Sequence, residues 1–141
     1  MTWREHLEAR LQASRPARVC ALDAAARALA AVALPGVAID DAATAPAPCA
    51  LALGVDALDG LDAAQAEQLL SRVRLYTAPH VLVVARPGCA LDEAAFRALG
   101  FTLAATDAAG VRVHEYDIET YKSVPDWLNS RFWAHPERWE P

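Results

Sequence analysis

Lysine is almost missing from this chain: Lys122 is the single one among 141 residues. The arginines are scattered and the formal net charge is −5. Nucleic-acid binding rests on clustered positive charge, so this composition disfavours it. Cysteine is scarce as well. Cys20, Cys49 and Cys89 are three in number, an odd count with no two at metal-ligand spacing. They read as reduced, mostly buried thiols that act as small hydrophobes, which fits a reducing compartment. The opening residues 1–8 hold no apolar core of the kind a secretory signal carries. No apolar run approaches the ~20 residues that span a bilayer. The expectation is a cytoplasmic protein without a membrane segment.

The usual catalytic signatures are also lacking. There is no Gly-x-Ser-x-Gly elbow and no glycine loop for phosphate. His6, His80, His114 and His135 have no histidine partner at helical spacing, so a helical zinc pair is absent, and each reads as a surface or boundary residue. Cys20 and Cys89 fall near predicted strand ends, but no basic neighbour marks either as a nucleophile. No metal site is assigned.

What is present is an alternation of short apolar runs and helical segments. Trp3, Leu7 and Leu11 form one stripe of a helix over residues 3–13, which Pro16 ends. Residues 17–22 make a first strand, and Asp23 caps the helix over 24–33. Residues 37–39 make a short second strand, followed by Asp40 and Asp41; residues 42–48 are a loop. The run 49–55 is nearly all apolar, as in a strand covered on both faces. Asp62 caps a helix with Leu69, Leu70 and Val73 inside. Residues 81–85 form the clearest strand. Asp92 opens a helix that ends near Gly100. Residues 101–106 and 111–116, joined by a turn at 107–110, read as an antiparallel hairpin at one end of the sheet.

Strands alternating with helices predict one three-layer α/β domain over 1–141, with a mainly parallel sheet. The core is residues 1–116, and 117–141 are an aromatic C-terminal extension. The order strand, acidic loop (Asp56, Asp59, Asp62), helix, strand, helix, Gly100-Phe101 resembles the C-terminal half of class I S-adenosylmethionine-dependent methyltransferases. That resemblance implies a Rossmann-like, methyltransferase-like fold. In such enzymes the first strand leads into a glycine-rich turn that lets the backbone approach the cofactor. Here that segment is residues 22–29, and it contains no glycine. By the same resemblance Asp23, Asp40 and Asp56 would line a cofactor pocket. The plainer reading of Asp56 and Asp59 is a pair of exposed turn residues, with Asp62 as a helix cap.

The run from Glu115 to Trp139, EYDIETYKSVPDWLNSRFWAHPERW, is similar to the ending of a family of small uncharacterised proteobacterial proteins. It holds three of the four tryptophans. Ser123-Val-Pro-Asp126 suits a helix start, so a short helical tail is expected. Two uses are open for it: a staple across its own domain, or an interaction surface through Tyr121, Trp127, Arg131, Trp133 and Trp139, since Trp and Arg dominate interface hot spots. Asp117, Glu119 and Tyr121 would share one face if the last strand ran on, more as a solvated edge than as an acid–base pair.

The function expected first is a non-catalytic, cofactor-free binding protein of the bacterial cytoplasm. It would act on a protein partner, or on a second copy of itself, through the aromatic extension. The alternative is a divergent methyltransferase that binds S-adenosylmethionine and acts on a small molecule.

Overall fold

The structure is a computed structural model and describes residues 2–42 and 49–118. The first helix, α1 (Trp3–Ser14), begins with a capping box: the Thr2 hydroxyl accepts the Glu5 N–H, and the Glu5 carboxylate reaches back to the Thr2 N–H. It ends at Arg15, whose φ of 46° is the left-handed turn before Pro16. Leu7 and Leu11 are fully buried, as the stripe predicts.

From there the chain alternates. β1 (Arg18–Ala21) is followed by α2 (Ala24–Ala33) and β2 (Ala38–Asp41). β3 (Leu51–Gly54) leads to α3 (Ala63–Arg72), which continues into a π-helical turn (Val73–Thr77). β4 (His80–Ala85), α4 (Glu93–Ala98), β5 (Thr102–Thr106) and β6 (Arg112–Asp117) complete the described fold. Asp23, Asp62 and Asp92 each cap the helix that follows, accepting an N–H three residues on at 2.8 Å.

The six strands form one sheet in the order β2-β1-β3-β4-β6-β5. β2, β1, β3 and β4 are parallel, and β6 is antiparallel to both β4 and β5. The hairpin therefore lies at one end, with β6 inserted between β4 and β5. This is a three-layer, mostly parallel, methyltransferase-like Rossmann fold. On one face Leu7, Leu11 and Leu29 of α1 and α2 pack on Val19, Leu53, Leu82 and Val113. On the other, Leu70, Val73 and Phe96 pack on Ala52, Val81, Val83 and Tyr116. Alternate residues of β4 serve the two layers, which is why its sequence is apolar throughout.

Three expectations need correction. Asp40 and Asp41 do not follow β2; they are its last two residues, paired in register with Cys20 and Ala21. The ladder to β1 extends the strand beyond its short apolar run. Secondly, Cys20 and Cys49 are joined by a disulfide, with Cα atoms 5.9 Å apart, inside the range such bonds require. The bond ties β1 to the segment entering β3, and only Cys89 is a free thiol. Thirdly, His114 is no boundary residue. It is fully buried.

Candidate functional site

In an open α/β sheet, ligands bind outside the carboxyl ends of the strands, where the strand order reverses. Here β1 has β2 on one side and β3 on the other, so the crevice belongs between the ends of β1 and β3. The first residue at that point able to reach across is Asp23. One carboxylate oxygen accepts the Ala26 N–H at 2.8 Å, which caps α2. The other accepts the N–H groups of Val55 at 2.9 Å and Asp56 at 3.0 Å. The loop after β1 is thereby laced to the loop after β3. Beneath it, the Leu22 N–H donates to the Leu53 carbonyl at 2.9 Å. Gly54 completes the seal: a Cβ there would stand 3.1 Å from the Leu22 side chain and 3.3 Å from that of Val83.

The other two predicted carboxylates are engaged elsewhere. Asp40 lies 2.6 Å from the Arg18 Nε, an ion pair without hydrogen-bond alignment. Beside it, Arg27 reaches from α2 to the Asp41 carboxylate at 3.1 Å and to the Ile39 carbonyl at 3.3 Å. Asp56 meets Asp23 through its backbone only, while its carboxylate pairs with Arg86 at 2.5 Å. Asp23 and Asp56 are thus brought together, and the three carboxylates are spent on three different sets of partners.

Arg86 is the residue that sequence reasoning missed. It follows β4 directly and donates from one nitrogen to Asp56 at 2.5 Å and to Asp59 at 2.6 Å. Its pKa is raised by the Asp56 hydrogen bond, against a smaller opposing effect of burial, with the Asp59 charge adding to the rise. The signal was the position itself: in parallel neighbours, residues just past the ends of β3 and β4 lie side by side. Asp62 takes no part in this cluster and caps α3 in a capping box with Gln65. Below these loops lies an open cleft of about 600 Å³ between residues 58–62 and 86–90, with Leu58 buried at its edge and Cys89 on its wall. Among the described residues, no group of three or more His, Cys, Asp or Glu side chains is placed to hold a metal ion.

Two further ionisable groups sit in β6. Glu115 accepts from Arg10 of α1 at 2.6 Å and contacts His80 Nε2 at 2.5 Å. Burial alone would raise its pKa, but the hydrogen bonds from His80 and Arg10 outweigh that and hold it below the ordinary carboxylate value. His114 stacks on Phe96 with ring centres 3.8 Å apart and planes 5° from parallel. Neither ring nitrogen has a hydrogen-bond partner. Burial first, and the nearby Arg112 charge second, lower its pKa to about 4. β6 is covered on both faces, so the alternation that put Val111 and Val113 inside did not put His114 outside.

Tyr121, Trp127, Arg131, Trp133 and Trp139 lie outside the described residues, as does Glu119. Among the described residues, no helix is long and apolar enough to cross a membrane.

Among solved structures, the chain is similar to magnesium protoporphyrin IX methyltransferase (ChlM) from Synechocystis PCC 6803 with bound SAM. The identity is 14%, the TM-score 0.53, and the match covers 79% of this chain and 76% of that one. The likeness shows a shared fold. No curated protein matches the chain. Residues 1–141 match the model of a family of unknown function, DUF6231, and the chain belongs to that family.

Proposed function

We propose that this chain is a non-catalytic binding domain on a methyltransferase-like scaffold, working in the bacterial cytosol through its aromatic C-terminal extension. One observation carries the reading: Asp23 spans the point where the strand order reverses. A cofactor at that crevice would need free N–H groups at the start of α2 and a backbone it can approach closely. The Ala26 N–H is already taken by Asp23, and residues 24–26 are all alanine. Both features weigh against S-adenosylmethionine at this crevice. Breaking the Asp23 contacts would expose the N–H groups of Ala26, Val55 and Asp56, each at a cost of about 1–3 kcal/mol if buried without a partner.

The divergent methyltransferase remains the second reading, favoured by the cleft at the ends of β3 and β4 and by the fold shared with a methyltransferase. Thermal unfolding with and without S-adenosylmethionine or S-adenosylhomocysteine separates the two. A ligand at 100 times its Kd stabilises by about 2.7 kcal/mol, a shift of several degrees. The binding-domain reading expects no shift; a clear rise with either ligand would replace it by the second.

The cytosolic placement rested partly on three free thiols. With Cys20 and Cys49 joined, that support is gone, and the disulfide weighs against a reducing compartment.

A further inference from the structure

At the opposite end of the sheet from the crevice, the π-helical turn after α3 presents Leu75 and Tyr76 to solvent. They are 64% and 74% exposed, and are neighbours in sequence. The turn beneath them is fixed: Val73 is buried, its carbonyl accepts the Ala78 N–H at 3.1 Å, and the Thr77 carbonyl accepts the Cys49 N–H at 2.8 Å. Two apolar side chains are thus held outward on a rigid base. A π turn inserts one residue into a helix, and such turns are frequent at functional sites.

Leu75 and Tyr76 border a groove of about 370 Å³ that Arg74, Pro79, Tyr116 and Ile118 also line. The Arg74 guanidinium lies 5.8 Å from the Tyr116 ring centre, and its Nε is buried without a hydrogen-bond partner. The groove therefore offers apolar walls and the Arg74 guanidinium on one side. An occupant that fits it carries an aromatic side chain and an acceptor.

We propose that the groove is the docking site of this chain's own residues 119–141. Ile118 is both a wall of the groove and the residue from which that segment departs, its N–H donating to the Pro79 carbonyl at 2.9 Å. The first indole, Trp127, is nine residues on, within about 30 Å of extended chain. A segment so tethered has an effective concentration in the millimolar range, so docking with a dissociation constant below about 1 mM is mostly intramolecular before a second copy at micromolar concentration competes. The segment carries Trp127, Trp133 and Trp139 for the apolar walls and Glu119 and Asp126 as acceptors for Arg74. The proposal rests on the reading of this extension as the interaction element. It makes that element partly self-covered, so that a partner must compete with Leu75 and Tyr76 for its tryptophans.

The test is limited trypsin digestion of the full chain, following cleavage after Lys122 and Arg131 by mass spectrometry. Expected is slow cleavage, independent of protein concentration, that speeds up at least tenfold in the Leu75→Asp, Tyr76→Asp double variant. A Val32→Asp variant, altering an exposed apolar side chain of α2 on the other face of the sheet, should digest like the parent. The milder Leu75→Ala, Tyr76→Ala pair, checked by circular dichroism, guards against a change in fold and should also speed cleavage. Equal cleavage in parent and groove variants overturns the proposal. So does protection that grows with protein concentration alongside a dimer in sedimentation, which would make a second copy the occupant. Neither outcome touches the closed crevice, which cofactor binding alone would contradict.

Discussion

The Asp23 carboxylate accepts the Val55 N–H at 2.9 Å, a bond between residues 32 apart in sequence that ties the loop after β1 to the loop after β3. The same side chain caps α2. A position that a nucleotide-binding fold leaves open for a ligand is here used to hold two loops and one helix together. The acidic residues around it are bound up in the same way, Asp56 and Asp59 by Arg86 and Asp41 by Arg27.

Replacing Asp23 by alanine removes a helix cap and the acceptor for two further backbone donors. A cap contributes about 1 kcal/mol, and hydrogen bonds to a charged group about 1.5–3. Because the Asp56 N–H is exposed and can turn to water, only the cap and the Val55 bond count in full, and the expected loss for Asp23→Ala is about 2.5–4 kcal/mol in urea unfolding. Asp23→Asn keeps an acceptor for the cap and should lose about half as much. Equal stability in all three proteins would mean that the lacing carries no weight.

His114 predicts an acid-sensitive core. The unfolded chain binds a proton on this ring near 6.5, while the folded protein resists it down to about 4. The unfolded state therefore holds more protons between these values, and stability falls as pH drops from 6.5 towards 4. Above 6.5 this penalty is absent. At its fullest it amounts to about 3 kcal/mol. Glu115 also loses its ion pairs in acid, so the informative comparison is with His114→Phe, whose ring can keep the stack on Phe96. The variant should show a shallower loss between pH 6.5 and 4, read as urea midpoints across the range. Parallel curves would remove the histidine from the account.

The Cys20–Cys49 bond closes a loop whose ends are 29 residues apart. Chain-entropy arguments give such a loop about 3–4 kcal/mol. Alkylation of the denatured protein without reductant should label one cysteine, Cys89, and with reductant three. Three labels in both cases would show that the thiols are free in the purified protein.

Much of the fold was legible because it is written locally. Asp23, Asp62 and Asp92 each stand just before a helix and each caps it, and the turn between β5 and β6 announces a hairpin. What stayed hidden is non-local. The Asp40–Asp41 pair reads as a post-strand turn until the ladder to β1 draws it into β2. Arg86 reads as part of a turn until β3 and β4 lie side by side and place it between Asp56 and Asp59. Cys20 and Cys49 find each other through the same kind of strand pairing. The missing glycines after β1 were plain in the sequence, but the use made of the space was not: it took the pairing of β1 with β3 to show that Asp23 fills it.

The proposed function turns on this crevice not admitting the S-adenosylmethionine that the similar solved structure holds. Isothermal titration of the full chain with S-adenosylmethionine and S-adenosylhomocysteine tests it most directly. The account predicts no binding heat up to about 1 mM of either ligand, a dissociation constant weaker than about −4 kcal/mol of binding free energy would give. Micromolar binding of either would contradict it, and would mean that the Asp23 contacts open to admit the ligand.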